Sequence, residues 1–325
     1  MQIKSVRIHS QGGPEVLKVE ALDIAPPGAG EVLVRNTAIG LNYQDIYHRS
    51  GLYPLPVPSG LGTEAAGVVE QVGSGVTAFK VGSRVCYAGG APGACATHRI
   101  VPAARLIATP KAISDEVAAA VLLKGMTVEY LLMRCRPVAR GELVLFHAAA
   151  GGVGLLAGQW GKHLGARMIG IASGRAKVEL ALANGYAACI DRSHEDVPAR
   201  LKELSAGAGF PVVYDSVGKA SFEQSLNALA PRGYFVSFGT TTGAPPPIEA
   251  ATLQKMGSLF FTRPTLVTYT AMAEELQASA GAVFDLLQRG VLKVDIRQRY
   301  KLDDIATAHR DLEGARTTGS SIIVP

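Results

Sequence analysis

The sequence has little of what marks several protein classes. Aromatic residues make up 6% and there is one tryptophan, which is thin for a surface that stacks nucleobases. Charged residues make up 18%, and no run of five like charges occurs. The net charge of +5, from 32 Lys+Arg against 27 Asp+Glu, is mild. A basic arm for nucleic acid is therefore not expected, while a pocket for an anionic ligand remains open. The four cysteines, Cys86, Cys95, Cys135 and Cys189, are scattered and form no CxxC pair. Free thiols in a reducing, cytoplasmic compartment are expected. The longest apolar stretch, Leu143 to Gly158, is interrupted by His147 and four glycines, too short and broken to span a membrane. The opening MQIKSVRIHSQGG lacks the apolar core of a signal peptide.

What is present is an ordinary globular composition. With 325 residues, 48% of them hydrophobic, about two domains are expected at roughly 150 residues each. The first 120 residues read as short β segments, IKSVRIHS, EVLVRNTAIG, EAAGVVEQVG and SRVCYAGG, separated by Gly and Pro turns. This spacing predicts a barrel-like β-rich domain. From Ser114, a candidate N-cap, the pattern becomes helical, with Asp115 and Glu116 in the first turn. Strand and helix patterns then alternate through LVLFH, RMIGIA, ACID, PVVYD, YFVSFG and SLFFTR. Repeated βα units predict an α/β domain with a doubly wound parallel sheet. The short ends DIRQRYKL and GSSIIVP are expected to return to the β-rich domain. That domain is thus read as 1–122 plus 268–325, around a nucleotide-binding domain at 123–267.

The strongest motif runs from Leu143 to Gly154, LVLFHAAAGGVG. It reads as a strand, a turn and a helix with the spacing G-x-G-x-x-G, Ala149 standing in the first glycine position. Gly151 lets backbone approach a pyrophosphate, and Gly154 lets helix and strand pack closely. Ala150, Gly151, Gly152 and Val153 lie where the free N–H groups of a helix start meet phosphate. An NAD site usually carries an acidic residue about 20 residues further on, holding the ribose. Here the second strand runs into Ser173-Gly174-Arg175-Ala176-Lys177, without a carboxylate. Arg175, Lys177 and, after the third strand, Arg192 are cations suited to a 2′-phosphate. Charge-assisted bonds of about 1.5–3 kcal/mol each would select NADPH over NADH.

Together the stretches GGPEVL (12–17), NYQDIYHRSGLYP (42–54), VPSGLGTEAAGVV (57–69), LKGMTVEYLL (123–132), HAAAGGVG (147–154), VYDSVG (213–218), VSFG (236–239) and TRP (262–264) carry a family resemblance. Over essentially its whole length the chain resembles the medium-chain dehydrogenase/reductase superfamily, and within it the zeta-crystallin-like NADPH:quinone oxidoreductases. The resemblance implies a Rossmann domain, a GroES-like domain and a homodimer joined through the last sheet strand. Zinc alcohol dehydrogenases resemble this layout but place a cysteine where Asn42 stands and a histidine where Thr63 stands. Asn42 and Thr63 cannot complete a tetrahedral set of S and N ligands, and the cysteine-rich zinc lobe is missing, so no metal is expected.

The resemblance places the substrate over the nicotinamide, in a cleft between the domains. Asn42, Tyr47, Tyr53 and Lys124 are the candidate catalytic residues. Asn42 would orient the nicotinamide ribose or substrate. Tyr47 and Tyr53 would donate to a quinone oxygen or line the pocket, and Lys124 would stabilise developing negative charge. Asp45 is read as a structural acceptor and His147 as packing. Candidate cofactor contacts are Thr127, Ala150, Gly151, Gly152, Val153, Ser173, Gly174, Lys177, Arg192, Ser216, Phe238, Gly239, Arg263, Leu266 and Arg316. The implied reaction is hydride transfer, or single-electron transfer, from NADPH to a quinone. An alkenal or enone reductase and a nucleotide-regulated RNA-binding or structural, crystallin-like protein are the alternatives.

Overall fold

The computed structural model describes all 325 residues. The chain divides into two compact units, Met1–Met126 with Tyr269–Pro325, and Thr127–Thr268.

The first unit opens with β1 (Gln2–Ile8), β2 (Lys18–Asp23), β3 (Glu31–Gly40), α1 (Tyr43–Ser50), β4 (Ser59–Gly60), β5 (Glu64–Val72), β6 (Arg84–Ala88), β7 (His98–Pro102) and β8 (Ile107–Ala108). Helix α2 (Asp115–Glu129) follows and runs on across residues 122 and 123, where the sequence pattern suggested a domain boundary. The Ser114 hydroxyl accepts from the amide of Val117 at 3.2 Å, the N-cap bond its position promised. The second unit holds β9 (Leu143–His147), α3 (Gly152–His163), β10 (Arg167–Ala172), α4 (Arg175–Ala183), β11 (Ala188–Asp191), α5 (Val197–Leu204), β12 (Phe210–Asp215), α6 (Phe222–Asn227), β13 (Leu229–Ser237), α7 (Ala250–Lys255), β14 (Phe260–Thr262) and α8 (Leu266–Tyr269). The chain ends in the first unit with α9 (Ala273–Gln288), β15 (Ile296–Lys301), α10 (Ile305–Glu313) and β16 (Ser320–Val324).

In the first unit β15-β16-β3-β5-β6-β8 form one sheet, with β7 also on β3, and β2-β1-β4 form another. Most pairings are antiparallel; β15 and β16 run parallel. Apolar side chains of these strands, among them Val6, Val32, Val34, Ile39, Val69 and Val85, close one core with Leu61 of the β4–β5 connection. DIRQRYKL and GSSIIVP do return here, because Ile322 and Ile323 sit opposite Gly40 and Ile39.

The second unit has a six-stranded parallel sheet in the order β11-β10-β9-β12-β13-β14. The order reverses between β9 and β12, which puts a crevice at the carboxyl ends of those strands. Leu145, Ile169, Ile171, Ile190 and Val213 are buried against Val197 and Leu201 of α5. These near-continuous apolar strands are what a sheet covered on both faces requires. The last strand is shorter than SLFFTR suggested: Leu259 donates back to Leu253 O, so pairing begins only at Phe260. No helix is long and apolar enough to cross a membrane.

Candidate active site and nucleotide cradle

The candidate residues fall into two groups, one in each unit. In the first unit they gather around a residue that sequence reasoning passed over, Glu64. It starts β5, is fully buried and receives three donors. Asn42 Nδ2 reaches Oε2 at 2.8 Å, the Leu123 amide reaches Oε1 at 2.6 Å, and Lys124 Nζ lies 3.5 Å from Oε2. A burial this complete needs such partners, because an unpaired buried carboxylate is costly. Gly40 makes room: a Cβ there would stand 2.2 Å from Glu64 Oε2 and 2.3 Å from Ala119 O. The signal was Glu64 itself, an acidic residue directly before the apolar run Ala65–Val69.

Asn42 is the N-cap residue of α1, but its amide turns to Glu64. Its backbone N–H is taken by Asp45 Oδ2 at 2.9 Å, so Asp45 is the structural acceptor the sequence suggested. Burial pushes the Asp45 carboxyl up to about 7, with Glu64 adding to the rise and the Asn42 N–H and Lys124 opposing it. Its Oδ1 has no partner. Helix α1 also brings the tyrosines together: the Tyr47 ring lies 5.0 Å from Tyr53 and 5.3 Å from Tyr43. His48 stands edge-on to Tyr53 at 5.7 Å, and burial lowers its pKa. Arg316 is exposed and paired with Asp311 at 2.9 Å.

In the second unit the turn after β9 takes its left-handed residue at Ala148 (φ 54°), where a glycine would be relaxed. Gly151 donates to Ala148 O at 3.0 Å and caps α3, leaving Gly152 and Val153 in the helix's first turn. Gly154 is required by packing: a Cβ would meet Ala148 O at 2.3 Å and Ala149 C at 2.7 Å. The loops after the other strands end on the same sheet edge. Phe238 donates to Asp215 O at 2.8 Å and lies 5.5 Å from Phe146, while Gly239 sits against Ser216, where a Cβ would be 2.7 Å from Ser216 O. Thr127 is buried on α2, Arg263 donates to Pro264 O, and Leu266 begins α8.

Beneath this edge lies a buried polar chain. Asp215 Oδ1 accepts from the amides of Val217 at 2.7 Å and Gly218 at 3.1 Å, fixing the loop that carries Ser216. Its Oδ2 accepts from Ser221 at 2.6 Å and Ser225 at 2.5 Å. Ser225 spends its one proton on Asp215, so His147 Nε2, 2.9 Å away, is the donor in that bond. Ser225 thus links His147 to Asp215 within one buried hydrogen-bonded chain. Burial lowers the His147 pKa, opposed by Asp215.

The segment Ser173–Lys177 holds no carboxylate of its own, as the sequence reads, but one stands beside it, supplied by the neighbouring strand. Asp191 closes β11 beside Ala172, the last residue of β10, and its Oδ1 accepts from Gly174 N at 2.8 Å and Ser193 N at 3.0 Å. Arg192 Nε donates to Ser173 Oγ. Lys177 is close enough to Arg192 that partial burial and this like charge lower its pKa. Arg175 is exposed and paired with Glu179 at 2.8 Å.

Known proteins agree with this geometry. Residues 28–140 match the alcohol dehydrogenase GroES-like domain and residues 152–286 the zinc-binding dehydrogenase family, which together define a two-unit oxidoreductase class. A quinone oxidoreductase of Pseudomonas aeruginosa is 50% identical over 323 residues, covering 99% of each chain. The crystal structure of Escherichia coli quinone oxidoreductase complexed with NADPH is 46% identical with a TM-score of 0.97, covering 99% of this chain and 100% of that one. A 2-haloacrylate reductase of Burkholderia is 42% identical, covering 98% of each. The chain belongs to the quinone oxidoreductase family of the medium-chain dehydrogenase/reductase superfamily.

The zinc in one family's description does not fit these residues. Asn42 Nδ2 is a donor spent on Glu64, Thr63 offers a buried hydroxyl, and Cys86 and Cys95 are buried in the β core with thiol pKa values raised by burial. No group of three or more His, Cys, Asp or Glu side chains is arranged to hold a metal.

Proposed function

We propose that this chain is an NADPH-dependent quinone reductase. The observation that carries the reading is the cradle of the second unit: a glycine turn opening α3, with Lys177 and Arg192 beside the Ser173–Gly174 loop. The E. coli relative, solved with NADPH, supports it.

NADPH, when bound, supplies a hydride at C4 of its nicotinamide. The first-turn amides of Gly152 and Val153 hold the pyrophosphate, with Ala150 and Gly151 shaping the turn. Ser173, Lys177 and Arg192 hold the 2′-phosphate, on a loop that Gly174 shapes with its own N–H spent on Asp191. Ser216, Phe238, Gly239, Thr127, Arg263 and Leu266 serve the nicotinamide half. Arg316 stands as a further candidate contact, though it must leave Asp311 to serve. Because Glu64 takes the Asn42 amide nitrogen, Asn42 would meet a ribose or carboxamide donor through its Oδ1, which the capping box of α1 also engages. Lys124, paired with Glu64, offsets negative charge gained by the substrate. Tyr47 and Tyr53 offer phenol protons to the quinone oxygen and a flat apolar wall.

Parallel assays of NADPH oxidation with 1,4-benzoquinone and with an enone test the reading. Fast turnover of quinone is expected; tight NADPH binding without it would move the activity to the second reading. That second reading, reduction of an electron-poor alkene, draws on the Burkholderia 2-haloacrylate reductase. We also propose a homodimer through β14, which is paired only with β13 and exposes Phe260. A monomeric mass at micromolar concentration would refute it. The free cysteines suit the cytoplasm.

A further inference from the structure

We infer that Asp191 gives the adenosine end a second mode, in which its outer carboxylate oxygen accepts the ribose 2′-hydroxyl of NADH, so that the protein binds NADH as well as NADPH. The inference rests on reading the second unit as a dinucleotide site.

Sheets of this topology usually present the ribose-binding carboxylate at the end of the second strand. Here that strand, β10, ends at Ala172, and the parallel register sets Asp191 directly beside it. The carboxylate thus reaches the same level of the sheet edge from one strand over. Its two oxygens have different duties. Oδ1 is filled by Gly174 N at 2.8 Å, Ser193 N at 3.0 Å and Ser193 Oγ at 2.5 Å, which pins the loop carrying Ser173 and Gly174. Oδ2 meets only His194 Nδ1, at 3.2 Å; the His194 side chain is 78% exposed and that of Asp191 13%. That oxygen has acceptor capacity left, and Asp191 lines a surface depression with Arg175, Val178 and His194.

The donors on Oδ1 also keep the group ionised: the Ser193 hydroxyl and the Gly174 amide hold it well below the usual carboxylate range. A fixed negative charge on this loop opposes a 2′-phosphate and favours a 2′-hydroxyl donor. Lys177 and Arg192 act in the opposite sense. The site therefore carries both sets of determinants, and preference between the cofactors is their difference rather than the outcome of either alone.

The test is the dissociation constant of NADPH and of NADH, titrated by nicotinamide fluorescence without quinone. It uses the full-length protein, its Asp191→Asn variant and its Lys177→Ala/Arg192→Ala variant. Asparagine can still accept from Gly174 and Ser193, so the loop stays pinned while the charge is lost. Expected for Asp191→Asn is roughly tenfold weaker NADH binding and severalfold tighter NADPH binding. Equal changes for both cofactors, or NADH binding left untouched, would overturn the inference by reducing Asp191 to a loop anchor. The double variant tests the underlying reading separately: it should lose NADPH affinity and keep NADH. If the unaltered protein binds neither nucleotide, the dinucleotide reading itself fails, and this inference with it.

Discussion

Asp45 in the first unit and Asp215 in the second are both fully buried, yet their surroundings treat them oppositely. Asp45 receives one N–H, from Asn42, and leaves Oδ1 bare, and burial pushes it up to about 7. Burial also pushes Asp215 upward, but His147, two serine hydroxyls and the Gly218 amide outweigh it and hold the group below its ordinary value. Depth alone does not decide whether a carboxylate is charged; the donors around it do. The charged one organises a loop, while the half-satisfied one carries a proton near neutrality.

The most severe way to break this contrast is truncation. Asp215→Ala strands four donors and should cost about 3–5 kcal/mol in urea denaturation. Asp45→Asn, which keeps an acceptor for Asn42, should cost under about 1 kcal/mol at neutral pH. Equal losses would show that donor count does not separate the two sites.

Cofactor binding should divide the units next. Gly152→Trp, in the first turn of α3, should weaken NADPH binding about a hundredfold, the loss of charge-assisted phosphate bonds. The far-UV circular dichroism spectrum should stay unchanged. Unchanged affinity would refute the phosphate cradle.

Stability against pH sharpens the contrast further, because the signs differ. The raised pKa of Asp45 means that the folded state binds the extra proton between about pH 4 and 7. Its contribution is therefore full below about pH 4 and is lost as pH rises to 7, by up to about 1.4 kcal/mol per pH unit. The depressed Asp215 contributes above about pH 4 and loses that contribution as pH falls through its lower folded value. Denaturation of Asp45→Asn and Asp215→Asn against the unaltered protein should show opposite slopes. Like slopes would break the comparison.

The smallest effect separates two cations in the first turn of α4. Lys177→Ala should weaken NADPH roughly tenfold and spare NADH. Arg175→Ala, at an exposed side chain already paired with Glu179, should change neither.

Much of the second unit was legible from sequence. The turn at 148–154 and the strands LVLFH, RMIGIA and ACID announce themselves because their signals are local: apolar runs, glycines at fixed offsets and a helix start. The same locality limited the reading at Ser173–Lys177. No carboxylate stands in that stretch, yet the parallel register carries Asp191 into it from 17 residues beyond Gly174. Arg175 looked as suitable as Lys177 until the structure turned it toward Glu179.

The sequence by itself determined the α/β class, the doubly wound order of elements, the nucleotide turn and the absence of a zinc ligand set at Asn42 and Thr63. Each depends on residue type and spacing within a single element. Only the tertiary structure decided that Glu64 gathers Asn42, Leu123 and Lys124 from 22 to 60 residues away. It alone decided that Asp215 reaches His147 through Ser225, and that Asp191 meets Gly174. A buried carboxylate takes its donors from whatever the folded chain brings within about 3 Å, and that proximity is set by sheet register and packing, which no local pattern encodes.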